Sequence, residues 1–266
     1  MSKLSVITLA LNEEHNIVDC LASVKWADEL IVVDSGSTDR TVELSRQFTN
    51  KVLRLKWRGY GGTRNEALQQ ATGDWILWLD ADERVPPELA AEIQQRIRDD
   101  DDMFSGYRVA RRGYFLGKWI KHCGWYPSRV TRLFRRSRGK FSESRVHEQL
   151  LVDGATGQLH NDLLHYTDPD LDHYLQKFNR YTSLAAQDLH AAGKRFSLYD
   201  VLVRPPFVFF KMFVLRLGFL DGVHGFILCF ASMAYVFVKY AKLWELRNEP
   251  AHSETNAIAA TNGTAD

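Results

Sequence analysis

At 266 residues, 45% of them hydrophobic and 25% charged, the chain has enough apolar material for one large core or two smaller ones, which excludes disorder over most of its length. Its formal net charge of +1 hides a strong asymmetry along the chain, and its three cysteines, Cys20, Cys123 and Cys229, are too scattered for a disulfide framework or a zinc site. Met1-Ser2-Lys3 runs straight into a strand-like segment without an apolar leader, so the chain is expected to begin in the cytoplasm, where a reducing compartment suits its thiols.

The first hundred residues alternate apolar runs with helical patterns, the mark of a mostly parallel sheet flanked by helices. A strand is expected over 4–9, followed by a helix with Ile17, Cys20, Leu21 and Val24 on one face. A second strand, 30–33, ends in Asp34-Ser35-Gly36-Ser37-Thr38-Asp39, whose small polar residues can cap a helix over 41–48. A short strand over 51–55 leads to Gly59-Tyr60-Gly61-Gly62, read as a turn before a helix over 64–71 that Gly73 ends. The run 75–79 is apolar throughout and so is expected to be a strand buried on both faces, ending at Asp80-Ala81-Asp82. Pro86-Pro87 then opens a helix with Leu89, Ile93 and Ile97 on one stripe. After Asp168-Pro169-Asp170 a long helix presents Leu171, Tyr174, Leu175, Phe178, Thr182, Ala185 and Leu189, and Gly193 closes it. Beyond Arg204-Pro205-Pro206 the composition turns aromatic and apolar as far as Leu246, and the small polar residues from 248 on read as a disordered tail.

Charge is segregated along this order. Residues 105–145 hold twelve Lys or Arg against one acid, Glu143, whereas residues 1–104 hold nineteen acids against twelve bases. The basic block is interleaved with Tyr107, Tyr114, Phe115, Trp119, Trp125, Tyr126 and Phe134, a mixture that suits a polyanionic partner. Within it Trp125 and Tyr126 could stack on a sugar face or simply pack in the core. The acids collect where an open parallel sheet binds ligands, outside the carboxyl ends of its strands. Asn12-Glu13-Glu14 follows the first strand, Asp34 ends the second, Arg64 and Asn65 follow the third, and Asp80-Ala81-Asp82 ends the fourth. Carboxylates this dense repel one another unless a cation or hydrogen-bonding ligand lies between them, and a divalent ion is the economical occupant.

With those segments the sequence resembles glycosyltransferase family 2, which has the GT-A fold. The resemblance rests on Ser5-Val6-Ile7-Thr8 with Asn12-Glu13-Glu14, on Val32-Val33-Asp34-Ser35-Gly36-Ser37-Thr38-Asp39, on Thr63-Arg64-Asn65 with Ala67, and on Leu79-Asp80-Ala81-Asp82. It covers roughly the first 90 residues. Val146-His147-Glu148 and the 218–242 region look like a bacterial subfamily that adds glucose to the heptose of the lipopolysaccharide inner core. The resemblance implies a nucleotide-sugar donor, with UDP-glucose the expected one, held by Thr8, Asn12, Glu13, Asp34, Arg64, Asp80 and Ala81. Asp34 would meet the uracil-type base, Arg64 would lie near the nucleotide, and Asp80 and Asp82 would meet the ribose and a metal on the pyrophosphate. Mg²⁺ or Mn²⁺ suits such oxygen ligands, and His165 could complete the shell as a histidine does in some GT-A enzymes. Inverting transfer needs a general base, and Glu148 is the expected one, although His147-Glu148 departs from the acidic pair of many relatives. Arg111, Arg112, Trp125, Arg135, Arg136 and His147 are the expected acceptor-binding residues, because phosphates and acidic sugars match the basic block.

The expected division is a nucleotide-sugar-binding half over 1–104, an acceptor-binding and catalytic half over 105–203, membrane-associating helices over 204–247 and a tail over 248–266. A polyprenyl-phosphate or other lipid-linked saccharide transferase would share the same chemistry. A receiver-like phosphoacceptor domain is about half this length, and nucleic acid is not expected as a partner because the cleft is acidic. The longest run free of Asp, Glu, Lys and Arg, 222–238, would span about 26 Å as a helix, short of a bilayer core of about 30 Å. Lys211 and Arg216 precede it while Lys239, Lys242 and Arg247 follow it. The expectation is therefore a peripheral protein on the inner face of the cytoplasmic membrane, held by in-plane or re-entrant helices.

Overall fold

The computed structural model describes residues 2–55, 59–99, 102–142 and 149–248. The chain packs as two units, one formed by residues 1–121 and 125–167, the other by residues 122–124 and 168–266. The expected boundary at 104 falls inside the first unit and that at 203 inside the second.

The first unit begins with the expected alternation. Strand β1 (Leu4–Ala10), helix α1 (Ile17–Ala22), β2 (Glu29–Asp34), α2 (Thr41–Ser45), β3 (Val52–Arg54), α3 (Gly59–Gln69) and β4 (Trp75–Asp80) come in order, and β3, β2, β1 and β4 lie side by side in parallel. β4 runs through the middle of the sheet, and Trp75, Ile76, Leu77, Trp78 and Leu79 are at most 2% exposed, as its unbroken apolar sequence demands. Short β5 (Glu83–Arg84) and α4 (Pro87–Asp99) follow, with Leu89, Ile93 and Ile97 buried along one stripe. The basic block then becomes the antiparallel side of the same sheet. It forms β6 (Gly106–Phe115), β7 (Lys118–Trp119) and β8 (Ser128–Arg135), with β8 inserted between β4 and β6. A 3₁₀ turn at Arg136–Arg138 leads to a separate hairpin of β9 (Gly139–Phe141) and β10 (Leu150–Val152). β11 (Thr156–Gln158) pairs with β6, and β12 (Leu163–Asp168) with β5. A mostly parallel sheet flanked by helices, as expected, is therefore completed by an antiparallel flank.

Two local expectations need correction. Gly59, Gly61 and Gly62 do not form a turn before the helix; they are its first residues, because burying Ala67, Leu68 and Ala71 against β4 and β9 outweighs the low helix propensity of glycine. Nor does Gly73 cap that helix, which ends at Gln69. A Cβ at Gly73 would sit 2.7 Å from the Ser5 backbone nitrogen, and the Gly73 N–H donates to Ser5 Oγ at 2.9 Å.

Glu29, the first residue of β2, gathers the end of the sheet away from the acidic clusters. Its carboxylate accepts from Ser5 Oγ, Lys51 Nζ, the Thr72 N–H at 2.9 Å and Thr72 Oγ1 at 3.0 Å. Partial burial works against ionisation, but the bonds from Lys51, Ser5 and Thr72 outweigh it and hold the carboxyl at about 2. A depressed folded-state pKa contributes stability that is complete above the ordinary glutamate value and is lost as pH falls toward 2. Glu29→Gln is therefore expected to lower unfolding stability by about 1–2 kcal/mol at pH 7 after allowance for solvent screening. Urea titrations at stepped pH should find the gap between variant and wild type closing between about pH 4.5 and 2.

The second unit is helical. α5 (Leu171–Ala191) is capped by Asp170, which accepts from the His173 N–H, and closed by Gly193 at φ +72°. Its buried stripe is Thr182 and Ala186, with Tyr174, Phe178 and Leu189 partly covered, while Leu171 and Leu175 are exposed, contrary to the expected face. α6 (Leu198–Leu202), α7 (Arg204–Phe210), a π-helical turn (Lys211–Leu215) and a 3₁₀ turn (Gly218–Asp221) lead into α8 (Gly222–Asn248). The chain reverses through Leu217 at φ +55°, and a Cβ at Gly225 would strike the Gly218 carbonyl oxygen at 2.0 Å, so only glycine allows that approach. The spacing of the cysteines hides a contact, because Cys123 and Cys229 lie 3.6 Å apart between sulfurs as free thiols. Residues 249–266, the expected tail, lie outside the described residues, and Asn248 closes α8.

The candidate active site

Parallel register puts Asp34 opposite Ala10 and Asp80 opposite Leu9, so the two acids flank β1 at one level of the sheet. Two strand spacings separate them, about 10 Å, the scale of a nucleoside. The loops after β1 and β2 are stitched together by side chains that take backbone donors. The Asn12 N–H donates to Ser37 Oγ at 2.9 Å and the Thr38 N–H to Asn12 Oδ1 at 2.8 Å. The Glu13 N–H donates to Thr41 Oγ1 at 2.7 Å and the Glu14 N–H to Asp39 Oδ2 at 3.0 Å. Asn12 sits at φ +55°, a conformation asparagine tolerates better than most residues, and this turn is what its side chain holds. Asp39 also takes the Thr41 N–H at 3.0 Å, so it is the residue of the expected capping segment that fixes the start of α2. Asp34 is 1% exposed, accepts the Ser37 N–H at 2.9 Å, and pairs with Arg54 at 3.1 Å.

The Asp80-Ala81-Asp82 end of β4 is reached from two other directions. α3 brings Arg64, whose guanidinium carbon lies 5.3 Å from the Trp78 ring and 5.2 Å from the Phe141 ring. Beside it the Asn65 amide exchanges two hydrogen bonds with the Phe141 backbone, at 2.9 and 2.8 Å, locking α3 to β9. From the opposite side β12 pairs with β5, setting His165 opposite Glu83, and the Tyr166 N–H donates to the Asp82 carbonyl at 2.9 Å. His165 Nε2 thereby lies 3.3 Å from Asp82 Oδ2, with each side chain 18% exposed. An imidazole nitrogen and a carboxylate oxygen meet at the rim, donor types that suit Mg²⁺ or, better, Mn²⁺, although no group of three or more His, Cys, Asp or Glu placed to hold an ion is found among the described residues.

Asp80 is differently engaged. Recession into the protein opposes its ionisation, but the charges of Arg132 and then Arg64 prevail and hold its carboxyl below the usual range. Arg132 donates through one nitrogen to both Asp80 Oδ2 and, at 2.7 Å, Glu83 Oε1. Glu83 is completely buried, accepts the Asp80 N–H at 3.0 Å, and has its carboxyl pushed up chiefly by that burial. Arg111 Nη1 comes within 3.7 Å of the same carboxylate. Neither Glu83 nor Arg132 was expected. The sequence offers their charges but not the strand register that joins residues 49 positions apart.

Several other expected site residues are also held by contacts within the protein. Thr8 is wholly buried within β1 and Ala81 is 3% exposed among Ala10, Ile17, Leu21 and Val32, so their side chains pack rather than face a donor. Arg112 bonds Asp162 at 2.7 Å and lies over the Trp119 ring, and Tyr126 donates to Asp162 at 3.1 Å. Trp125 packs edge-on against Phe115 and against Gly113, where a Cβ would be 2.9 Å from its ring. Arg135 and Arg136 do not join Arg111. Register sets Arg135 opposite Trp75, at the other end of β4 from Asp80, over the Trp75 ring, while Arg136 donates to the Gly73 carbonyl at 2.9 Å, so the two lie apart from the donor end in the structure described. Glu148 and His147 lie outside the described residues.

Comparison with known proteins shows the family. Residues 5–151 match glycosyl transferase family 2. The chain is 32% identical to the lipopolysaccharide core biosynthesis glycosyltransferase LpsC of Rhizobium meliloti (strain 1021), over 91% of this chain and 92% of that protein. It is 29% identical to the uncharacterized glycosyltransferase RT0209 of Rickettsia typhi (strain ATCC VR-144 / Wilmington), over 98% and 92% of the two chains. Against S. aureus TarS (residues 1–349) the overlap covers 94% of this chain and 93% of that one, at 16% identity and a TM-score of 0.45, too distant to assign anything. By the match of its sheet-forming residues and by its identity to LpsC along nearly the whole of both chains, this chain belongs to glycosyltransferase family 2, a glycosyltransferase of GT-A fold with a C-terminal helical extension.

Proposed function

We propose that the protein transfers a hexose, glucose from UDP-glucose, with inversion onto the lipopolysaccharide inner core, using a divalent metal at the inner face of the cytoplasmic membrane. The observation that carries the donor and metal reading is the placement of Asp34 and Asp80 at the carboxyl ends of β2 and β4, with the Asp82–His165 pair just beyond Asp80 where β12 pairs with β5. Asp34 then meets the base, exchanging Arg54 for a ring N–H, and Asp80 the ribose. Asp82 and His165 hold the ion, which when bound neutralises charge growing on the departing diphosphate. Arg64, its guanidinium held between Trp78 and Phe141, adds a fixed positive charge on the nucleotide side. Glu148 takes the acceptor hydroxyl proton as the sugar carbon is attacked from the face opposite the leaving group. The lipopolysaccharide acceptor rests on the similarity to LpsC and on Arg111, Arg112, Trp125 and His147 as its contacts. Purified protein given a panel of nucleotide sugars and defined core acceptors, with and without Mn²⁺, should yield a product heavier by one hexose with UDP-glucose alone. Transfer to polyprenyl phosphate instead, or undiminished transfer in a chelator, would overturn the acceptor or the metal part respectively.

The membrane reading needs a different argument from length. The charge-free run sits inside α8, 27 residues long, about 40 Å, and the stretch Gly218–Asn248 is long and apolar enough to cross a bilayer by length and composition. What favours lying on the membrane is α5. Tyr235, Tyr240, Lys242 and Leu243 of α8 contact Phe178, Asn179, Thr182, Ser183 and Ala186 of α5, and Lys242 Nζ alone makes four bonds to residues 179–183. α5 also carries exposed Asp172, Gln176, Arg180 and Gln187, so the half of α8 it covers would take those polar groups into lipid. A dense patch of free apolar surface lies at the turns before α8 and its first turns, where Leu215, Phe219, Leu220, Val223, Phe226 and Phe230 are 46–70% exposed. Replacing Leu215, Leu220 and Val223 by Asn is expected to shift the protein from pelleted anionic vesicles to the supernatant without changing its circular dichroism. Continued sedimentation with vesicles would refute the surface, and a periplasmic reporter active after Leu246 would refute the topology.

A further inference from the structure

Aspartates in an Asp-x-Asp pair are usually drawn as joint ligands, but the two here have unlike surroundings. The Asp82 carboxylate stands at the rim, 3.3 Å from His165 Nε2. Asp80 shares the guanidinium of Arg132, whose side chain is 9% exposed, with the fully buried Glu83. Glu83 is itself tied back to the Asp80 N–H at 3.0 Å and approached by Arg111, so two acids and two bases close on one another. A carboxylate that turned from Arg132 to a metal would leave a buried guanidinium with one anion fewer, a strongly opposed change in a region of low polarity.

We propose that Arg132 is a positioning residue that withdraws Asp80 from direct metal ligation. That hold accounts for the division of roles proposed above, with Asp82 and His165 on the ion and Asp80 oriented by Arg132 for a hydroxyl donor such as ribose. The inference rests on the metal reading above. Its consequence is a site of low net charge that grips the ion only weakly without the diphosphate and lets the spent nucleotide leave with it. Removing Arg132 frees Asp80 as a second carboxylate. Metal affinity should then rise while transfer falls, opposite signs that a merely damaged fold would not give.

The test titrates Mn²⁺ into full-length protein with saturating UDP, following the free ion by electron paramagnetic resonance, beside steady-state transfer and thermal melting. Arg132→Met is expected to tighten Mn²⁺ by about tenfold, the scale of one unit charge lost near a half-buried ion, and to slow transfer at least as much. Arg132→Lys, which keeps the charge, should restore metal affinity to within about threefold of wild type. Glu83→Gln leaves Arg132 to Asp80 alone and should weaken Mn²⁺ about threefold or more. If wild type fails to bind Mn²⁺ at all, the metal reading falls and this inference with it. If wild type binds and a folded Arg132→Met protein binds no tighter, this inference alone falls. Should that variant not fold, unchanged or tighter binding by Glu83→Gln overturns the inference in its place.

Discussion

Asp82→Asn is expected to lower transfer by three or more orders of magnitude while leaving the melting temperature within a few degrees of wild type. The asymmetry follows from how the residue is built in. Its carboxylate stands at the rim, 18% exposed and 3.3 Å from His165 Nε2, so folding depends little on its charge. The structural work of the position is done by its backbone carbonyl, which takes the Tyr166 N–H and joins β12 to the end of β4, and asparagine keeps that bond. An amide, by contrast, offers the ion a neutral oxygen where the diphosphate's growing charge needs an anion-anchored cation nearby. His165→Ala should cost less, about tenfold to a hundredfold, because a water can stand in for the imidazole. Steady-state rates over a Mn²⁺ series, with urea denaturation of each variant, separate the two effects. Near-normal turnover by Asp82→Asn with its metal dependence intact would remove Asp82 from the site.

The elements that could be read from sequence are those whose apolar pattern has one solution. β4 is buried on both sides and is apolar at every position from Trp75 to Leu79. α4 shows its stripe at Leu89, Ile93 and Ile97 because the rest of its surface is polar. α3 was misread at its start because glycine's local preference for a turn says nothing of the surface waiting to cover Ala67 and Leu68. The same limit applies at the site. Asp34 and Asp80 close strands and Asp82 lies in the turn just after β4, positions legible in sequence because the rule that ligands bind beyond strand ends needs no partner. Arg132 and Glu83 were missed because a buried ion pair between β8 and β5 is a property of register. In the basic block, neighbours such as Arg111 and Arg112 leave a strand on opposite faces and find Glu83 and Asp162 respectively. What looked like one cationic surface is therefore shared among separate ion pairs, with Arg135 and Arg136 at the far end of the sheet.

Glu148→Gln is expected to keep the donor affinity of wild type within about twofold and to lose turnover by two or more orders of magnitude. The residue lies in a segment whose two ends are both fixed. The Ser142 N–H donates to the Gln149 carbonyl at 2.9 Å and the Gln149 N–H to Ser142 Oγ at 2.9 Å. Those two residues adjoin β9 and β10, and Asn65 of α3 holds the Phe141 backbone by two bonds beside the Arg64 guanidinium. The described residues on either side of the segment, Ser142 and Gln149, therefore stand beside the α3–β9 contact that holds Arg64. A six-residue span from 143 to 148 contains two carboxylates, Glu143 and Glu148, and only the second follows a histidine that can orient it. Glutamine preserves the shape and the hydrogen-bonding reach of the side chain but cannot accept a proton, so binding and chemistry should part. Calorimetry with UDP-glucose and Mn²⁺ measures the first, and single-turnover transfer measures the second. The rise of wild-type turnover with pH, which reports ionisation of the base, should vanish in the variant. Loss of donor binding, normal turnover, or an unchanged pH profile would each take Glu148 out of the role, and the same experiments on Glu143→Gln would then show whether its neighbour fills it.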